Sequence, residues 1–171
     1  VYGVESNAKA RNICLQSNIE VQSTESKLPL ASYDTLSLWH VLEHLPEPES
    51  RLATYRELLK PEGILVIAVP NFESHDRIHY QQHWAALDVP RHLWHFTPKG
   101  LINMAEASGF DLLQKRALGL DVFYISYLSE KHRGKSLPFV RGILKAVWFS
   151  FKGFFSGKHS SCVFVFRKRL P

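Results

Sequence analysis

The sequence has little of what builds covalent or metal-clamped frameworks. Its two cysteines, Cys14 and Cys162, lie far apart and outside any ligand spacing. That excludes a disulfide scaffold and a thiolate zinc site, and reads as two reduced thiols in a cytosolic protein. No collagen-like or disordered bias, internal repeat or low-complexity tract is present. No secretory signal opens the chain, so the expected compartment is the cytoplasm. A membrane-spanning run is also missing. The most apolar stretch, residues 138–155, falls short of the ~20 apolar residues a span needs and carries Arg141, Lys145 and Lys152. Acidic side chains are scarce in the second half. Residues 91–171 hold 14 Lys/Arg against 4 Asp/Glu, net +10, whereas residues 1–90 hold 7 against 12, net −5, which together give the overall +5. A basic half suits nucleic acid, an anionic membrane or a phosphorylated substrate, and equally a solvated surface without a partner.

What is present fits a single α/β domain over residues 1–171. Residues 1–5 read as a strand with the acidic tip Glu5. Residues 7–16 read as a helix capped by Ser6, and residues 19–22 as a short strand. Residues 33–38 form the next strand and residues 47–60 a helix, with Pro48 in its first turn. Residues 64–69 form a continuous apolar run, the mark of a strand buried on both faces. Periodicity then disappears from 71 to 96 while His and Trp become dense, so an ordered functional loop is expected there. Thr97-Pro98 caps a helix that Gly109 stops. Residues 110–118 and 161–167 are strands, separated by a helical, aromatic-rich insertion over 119–159.

The most informative run is Trp39-His40-Val41-Leu42-Glu43-His44-Leu45-Pro46, followed by Leu58-Leu59-Lys60-Pro61-Glu62-Gly63 and an apolar strand. Strand, polar loop, helix, turn and strand make a βαβ crossover, whose ligands bind at the strands' carboxyl ends. With Asp88-Val89-Pro90-Arg91-His92, His95-Phe96-Thr97 and Gly109-Phe110, this order resembles the class I S-adenosylmethionine-dependent methyltransferases. Within them it is similar to a bacterial branch that includes ubiquinone-biosynthesis and cell-envelope sugar methyltransferases. The resemblance covers nearly all of residues 1–118 and the final strand. It implies a Rossmann-like, mostly parallel sheet with the last strand antiparallel. The family's first strand and glycine-rich loop are missing from the sequence, so it implies an N-terminally incomplete domain that binds cofactor weakly or not at all.

The resemblance also implies roles. Glu5 would hold the ribose hydroxyls of S-adenosylmethionine, since a carboxylate can accept from both at once. Ser23 and Thr24, with Glu25 beside them, would lie near adenine, against the alternative of a plain loop. Trp39 and His40 would line the methionine end, with His40 as general base because imidazole titrates near neutrality. Glu43 and His44 would hold that loop. Over the acceptor, Trp84 and Trp94 would wall a pocket. Asp88, Arg91, His92 and His95 would bind or deprotonate a hydroxyl there, with Asp88 and His92 as further catalytic candidates. The implied reaction is O-methylation of a small or lipid-linked metabolite.

Other readings compete. A degenerate methyltransferase fold could act as an interaction module without catalysis. His40-x-x-Glu43-His44 also matches an inverted zinc-hydrolase motif, but Pro46 and Pro48 follow at once and deny it a continuous helix. His75, His79 and His83 have one-face helical spacing without a completing acidic residue. No metal is expected, and nucleic acid is an unfavoured partner. Residues 138–155 carry a narrow basic stripe on an apolar cylinder. That suits peripheral contact with a membrane's inner face, or burial against the sheet or in a homodimer.

Overall fold

The computed structural model describes residues 2–170; Val1, at the head of the expected first strand, lies outside them. β1 (Tyr2–Val4) leads into α1 (Ala8–Gln16) and on to β2 (Glu20–Gln22), which pairs parallel with β1. The cap of α1 is Asn7, one residue later than Ser6: its side chain accepts from the amides of Lys9 and Ala10. No side chain between residues 2 and 22 is buried.

β3 (Tyr33–Trp39), α2 (Pro48–Leu58) and β4 (Leu59–Pro70) form the expected crossover, with β3 and β4 parallel. β4 starts earlier than the apolar run. Tyr33 pairs with Leu59 but Thr35 with Ile64, so Lys60–Gly63 bulge out inside the strand, with Glu62 in the left-handed region at φ 59°. After α3 (His75–Tyr80) and α4 (Pro98–Ala107) come β5 (Phe110–Ala117), α5 (Asp121–His132), α6 (Pro138–Ser156) and β6 (Ser161–Lys168). β6 inserts antiparallel between β4 and β5, giving the order β3-β4-β6-β5. β1 and β2 form a separate two-stranded sheet. Tyr2 meets Tyr33 edge-on at 6.4 Å, so β1 and β3 begin side by side without pairing.

The region from 71 to 96 is more regular than its lost periodicity implies. It contains α3, capped by Ser74, and two 3₁₀ turns, Gln81–His83 and Ala85–Leu87. These elements are too short to show a period. The main core packs Leu52, Leu58, Leu65, Ile67, Phe110 and Phe164 between the sheet and α2 and α4. A second core joins Tyr80, Trp84, Val122, Ile125, Ala146 and Phe149. The insertion is therefore packed against the segment that follows β4, through Tyr80, Trp84 and Ala86. Within it, α6 meets α5 through Gly142, and Ala146, Phe149 and Gly153 are buried along the same side of α6.

Candidate active site

The carboxyl ends of β3 and β4 carry the densest polar chemistry. Trp39 ends β3 with 53% of its surface exposed, and the chain then turns sharply through His40, at φ 53°. A left-handed backbone is costly for a residue with a Cβ, so something must hold it. Three bonds do. The His40 amide donates to Ala68 O at 3.0 Å, Nδ1 meets Glu43 Oε1 at 3.2 Å, and Nε2 meets Asp121 Oδ2 at 2.8 Å. Asp121, then Glu43, hold the imidazole in its charged form against burial, raising its pKa to about 9. His40 was the expected general base; here both its nitrogens are occupied by carboxylates.

Leu42–His44 form a 3₁₀ turn on which Glu43 is 1% exposed. The segment Asp88–His95 is fastened to this turn. Glu43 O accepts from the amides of Leu93 at 2.8 Å and Trp94 at 3.2 Å. His44 Nδ1 donates to Arg91 O at 3.0 Å, and Trp94 Nε1 to Leu45 O at 3.0 Å. Two motifs far apart in sequence are thus one structural unit. Asp88, also left-handed at φ 39°, accepts from Arg91 Nε and Nη2 and closes a turn whose Arg91 and His92 amides donate to Asp88 O. His92 donates from Nδ1 to Ala86 O at 2.8 Å, and burial pushes it below the ordinary imidazole value. His95 Nε2 donates to Leu87 O at 2.9 Å, which leaves Nδ1 with its lone pair. Phe72, Trp84, His92, Trp94 and His95 pack as an aromatic cluster beside Pro70, with no cavity between them large enough for a water molecule. Within it, Trp84 is 2% exposed and its indole donates to Asp76 Oδ2 at 2.7 Å.

The other predicted cofactor residues stand apart, on the β1–β2 unit and beside it. Glu5 follows β1, half-buried, with Oε1 accepting from the Asn7 amide at 2.7 Å and Oε2 without a partner among the described residues. That suits a ribose diol. Thr24 caps the 3₁₀ turn Glu25–Lys27, with Ser23 half-buried before it. Glu25 is tied to α2 through Arg51 at 3.3 Å and Tyr55 at 3.5 Å. His75 bonds Ser156 and His79 bonds Arg133, so the three-histidine spacing does not form a shared ligand set. His40 and His44 share no continuous helix, unlike the zinc-hydrolase motif. Asp121 is the site residue that sequence reasoning missed. It opens the insertion, and nothing local in Gly119-Leu120-Asp121 points back to β3.

A family model described as a methyltransferase domain matches residues 1–115. The chain belongs to the class I S-adenosylmethionine-dependent methyltransferases. No curated protein matches this methyltransferase-family chain. Among solved structures, it is similar to a methyltransferase from Thermotoga maritima described as a possible histamine N-methyltransferase. The TM-score is 0.64 at 17% identity, over 98% of this chain and 72% of that one. It is also similar to a cyclopropane synthase from Mycobacterium tuberculosis, with TM-score 0.63 and 13% identity over 98% and 70% of the two chains. A third similarity is to the cyclase SpnF, with TM-score 0.60 and 17% identity over 99% and 66%. The methyltransferase-family chain thus spans about two thirds of these relatives' lengths, and identities this low speak for the fold alone.

Proposed function

We propose that the protein transfers a methyl group from S-adenosylmethionine to an oxygen of a small or lipid-linked metabolite. The observation that carries this reading is the fastening of the acceptor segment, Asp88 to His95, over the loop that ends β3. The cofactor supplies an already activated methyl on its sulfonium, so the protein must align groups and accept a proton. Glu5, with one carboxylate oxygen unpartnered among the described residues, holds the ribose, and Trp39 packs on the methionine end. His40, locked between Glu43 and Asp121, fixes the course of the loop rather than taking the proton. His95, whose Nε2 is committed to Leu87 O and whose Nδ1 keeps its lone pair, is the base that accepts the hydroxyl proton once the aromatic cluster opens to admit an acceptor. Asp88 and Arg91 shape the turn above it.

Calorimetric titration with S-adenosylhomocysteine tests this. Saturable binding is expected of a chain extended upstream to carry the family's first strand and glycine-rich loop, with weak or no binding by residues 1–171 alone. In the extended chain, Glu5→Ala should weaken it at least ~10-fold through loss of a charged hydrogen-bond acceptor. No binding by either the extended or the shorter protein would overturn the reading and favour an interaction module on the same fold.

A lipid-linked acceptor is favoured by α6. Phe139, Val140, Ile143, Leu144, Val147, Trp148, Phe151, Phe154 and Phe155 are all exposed, by 37% to 79%. At ~100° per residue they occupy about half the helix circumference, with Lys145 and Lys152 along one margin. The occupant that matches both chemistries is an anionic bilayer surface, reached from the cytoplasmic side. Among the described residues, no helix is long and apolar enough to cross it.

A further inference from the structure

Glu43 holds a buried carboxylate of which only half is accounted for. Oε1 meets His40, but Oε2 is fully buried with no hydrogen-bond partner. An orphaned buried acceptor is costly and needs a cation or a donor. Two imidazoles stand next to it. His44 and His92 pack edge-on with ring centroids 4.6 Å apart. Each donates from Nδ1 to a backbone carbonyl, His44 to Arg91 O and His92 to Ala86 O. A carbonyl only accepts, so Nδ1 carries the hydrogen in both rings and Nε2 carries the lone pair. This is the arrangement in which a metal-binding histidine has its other nitrogen anchored by the surrounding shell. One ligand atom from each of Glu43, His44 and His92 lies within 4.8 Å of the others. Among the described residues, no other group of three such side chains converges in this way.

We propose that Glu43, His44 and His92 bind a divalent transition-metal ion of the zinc class. Two imidazoles and one carboxylate suit zinc, whereas calcium and magnesium prefer all-oxygen shells. Zinc bonds of about 2.1 Å in a tetrahedron place ligand atoms about 3.4 Å apart. The ligand atoms, within 4.8 Å of one another, must therefore draw together by up to about 1.4 Å on binding, through small shifts that keep both Nδ1 bonds. Asp88 Oδ2 lies 4.0 Å from His92 Nε2 but outside the converging group of three. The ion would bolt the turn after β3 to the turn over the aromatic cluster, the same two turns that the Glu43 carbonyl and Trp94 already join. It satisfies Glu43 Oε2 without disturbing the bond from Oε1 to His40. The site differs from a zinc-hydrolase reading of the same motif, since His40 takes no part and His92 comes from a distant segment.

The test is zinc titration of the purified full chain against a chromophoric chelator, with metal content measured after growth in zinc-supplemented medium. One zinc per chain is expected. Affinity should fall by at least ~100-fold in Glu43→Gln and His92→Ala, more than loss of an outer-shell partner costs. If either variant fails to fold, His44→Ala decides, because its ring is exposed and its removal leaves no hole. His132→Ala, on the exposed end of α5, controls for surface histidines and should bind as wild type does. Cobalt substitution adds a readout independent of activity: intense visible absorption marks a site of low coordination number. Absence of saturable binding at micromolar zinc, or binding that survives both His44→Ala and His92→Ala, overturns the site. Neither result depends on whether the protein transfers methyl groups.

Discussion

Glu130 is a carboxylate with no exposed surface, on a helix otherwise facing an apolar core. Its neighbours explain how it stays charged. Arg141 on α6 donates to Oε2 at 2.9 Å, Arg133 on its own helix lies 3.9 Å from Oε1, and Tyr80 approaches from α3. Burial pushes the carboxyl pKa up, but the Arg141 hydrogen bond and charge outweigh it, so the group ends below the ordinary carboxylate value. A depressed acid stabilises the fold above its unfolded pKa, and that contribution is lost as pH falls through the folded value. The urea midpoint of the wild type should therefore fall more steeply below about pH 4.5 than that of Glu130→Gln. Parallel curves would show that the pair carries no net stability. The same pairing removes Arg141 from the basic stripe drawn on the sequence, because a helical wheel cannot show that a neighbouring helix supplies a counter-ion. Asp121 against His40 escaped for a similar reason. Such contacts join elements through tertiary packing and leave no period or motif.

At the scale of elements, the crossover β3–α2–β4 and the last strands were legible. Apolar runs, Pro48 at a helix start and Gly109 at a helix end have local physical causes. The region from 71 to 96 was not, since turns of three residues cannot display periodicity. The insertion was legible as helix, but which of its sides is buried is decided by size. α6 approaches α5 through Gly142, where an added Cβ would lie 2.7 Å from Tyr127 Cα and 2.8 Å from its amide nitrogen. Backbone cannot swing aside as a side chain does, so Gly142→Val must push the helices apart. A loss of about 1–3 kcal/mol is expected, measured by chemical unfolding. An unchanged midpoint would mean that the two helices are not tightly docked.

Across the whole molecule, charge and apolar surface are segregated. Residues 91–171 carry net +10 against −5 in residues 1–90, and α6 presents its exposed aromatic face from within that basic half. An anionic bilayer should therefore retain the protein. Co-sedimentation is expected with vesicles containing phosphatidylglycerol, weakening in salt, and not with pure phosphatidylcholine. Phe154→Glu combined with Phe155→Glu should abolish it, since both rings are more than 70% exposed and their replacement leaves the core intact. A dimer that disperses on the same substitutions, without vesicle binding by the wild type, would give the face to a second copy instead.

The N-terminal unit has a different consequence. Between residues 2 and 22 no side chain is buried, and β1 and β2 pair with each other alone. Segments with so few apolar contacts open at small free-energy cost, well below global unfolding. Glu5 sits in that segment. A nucleoside that engages its carboxylate must first draw on the closed fraction, so its observed affinity is the intrinsic one scaled by that fraction. If Glu5 holds the ribose as proposed, ligand occupancy and the ordering of β1, α1 and β2 form a single equilibrium, in which the cofactor would act on this N-terminal unit as a folding partner.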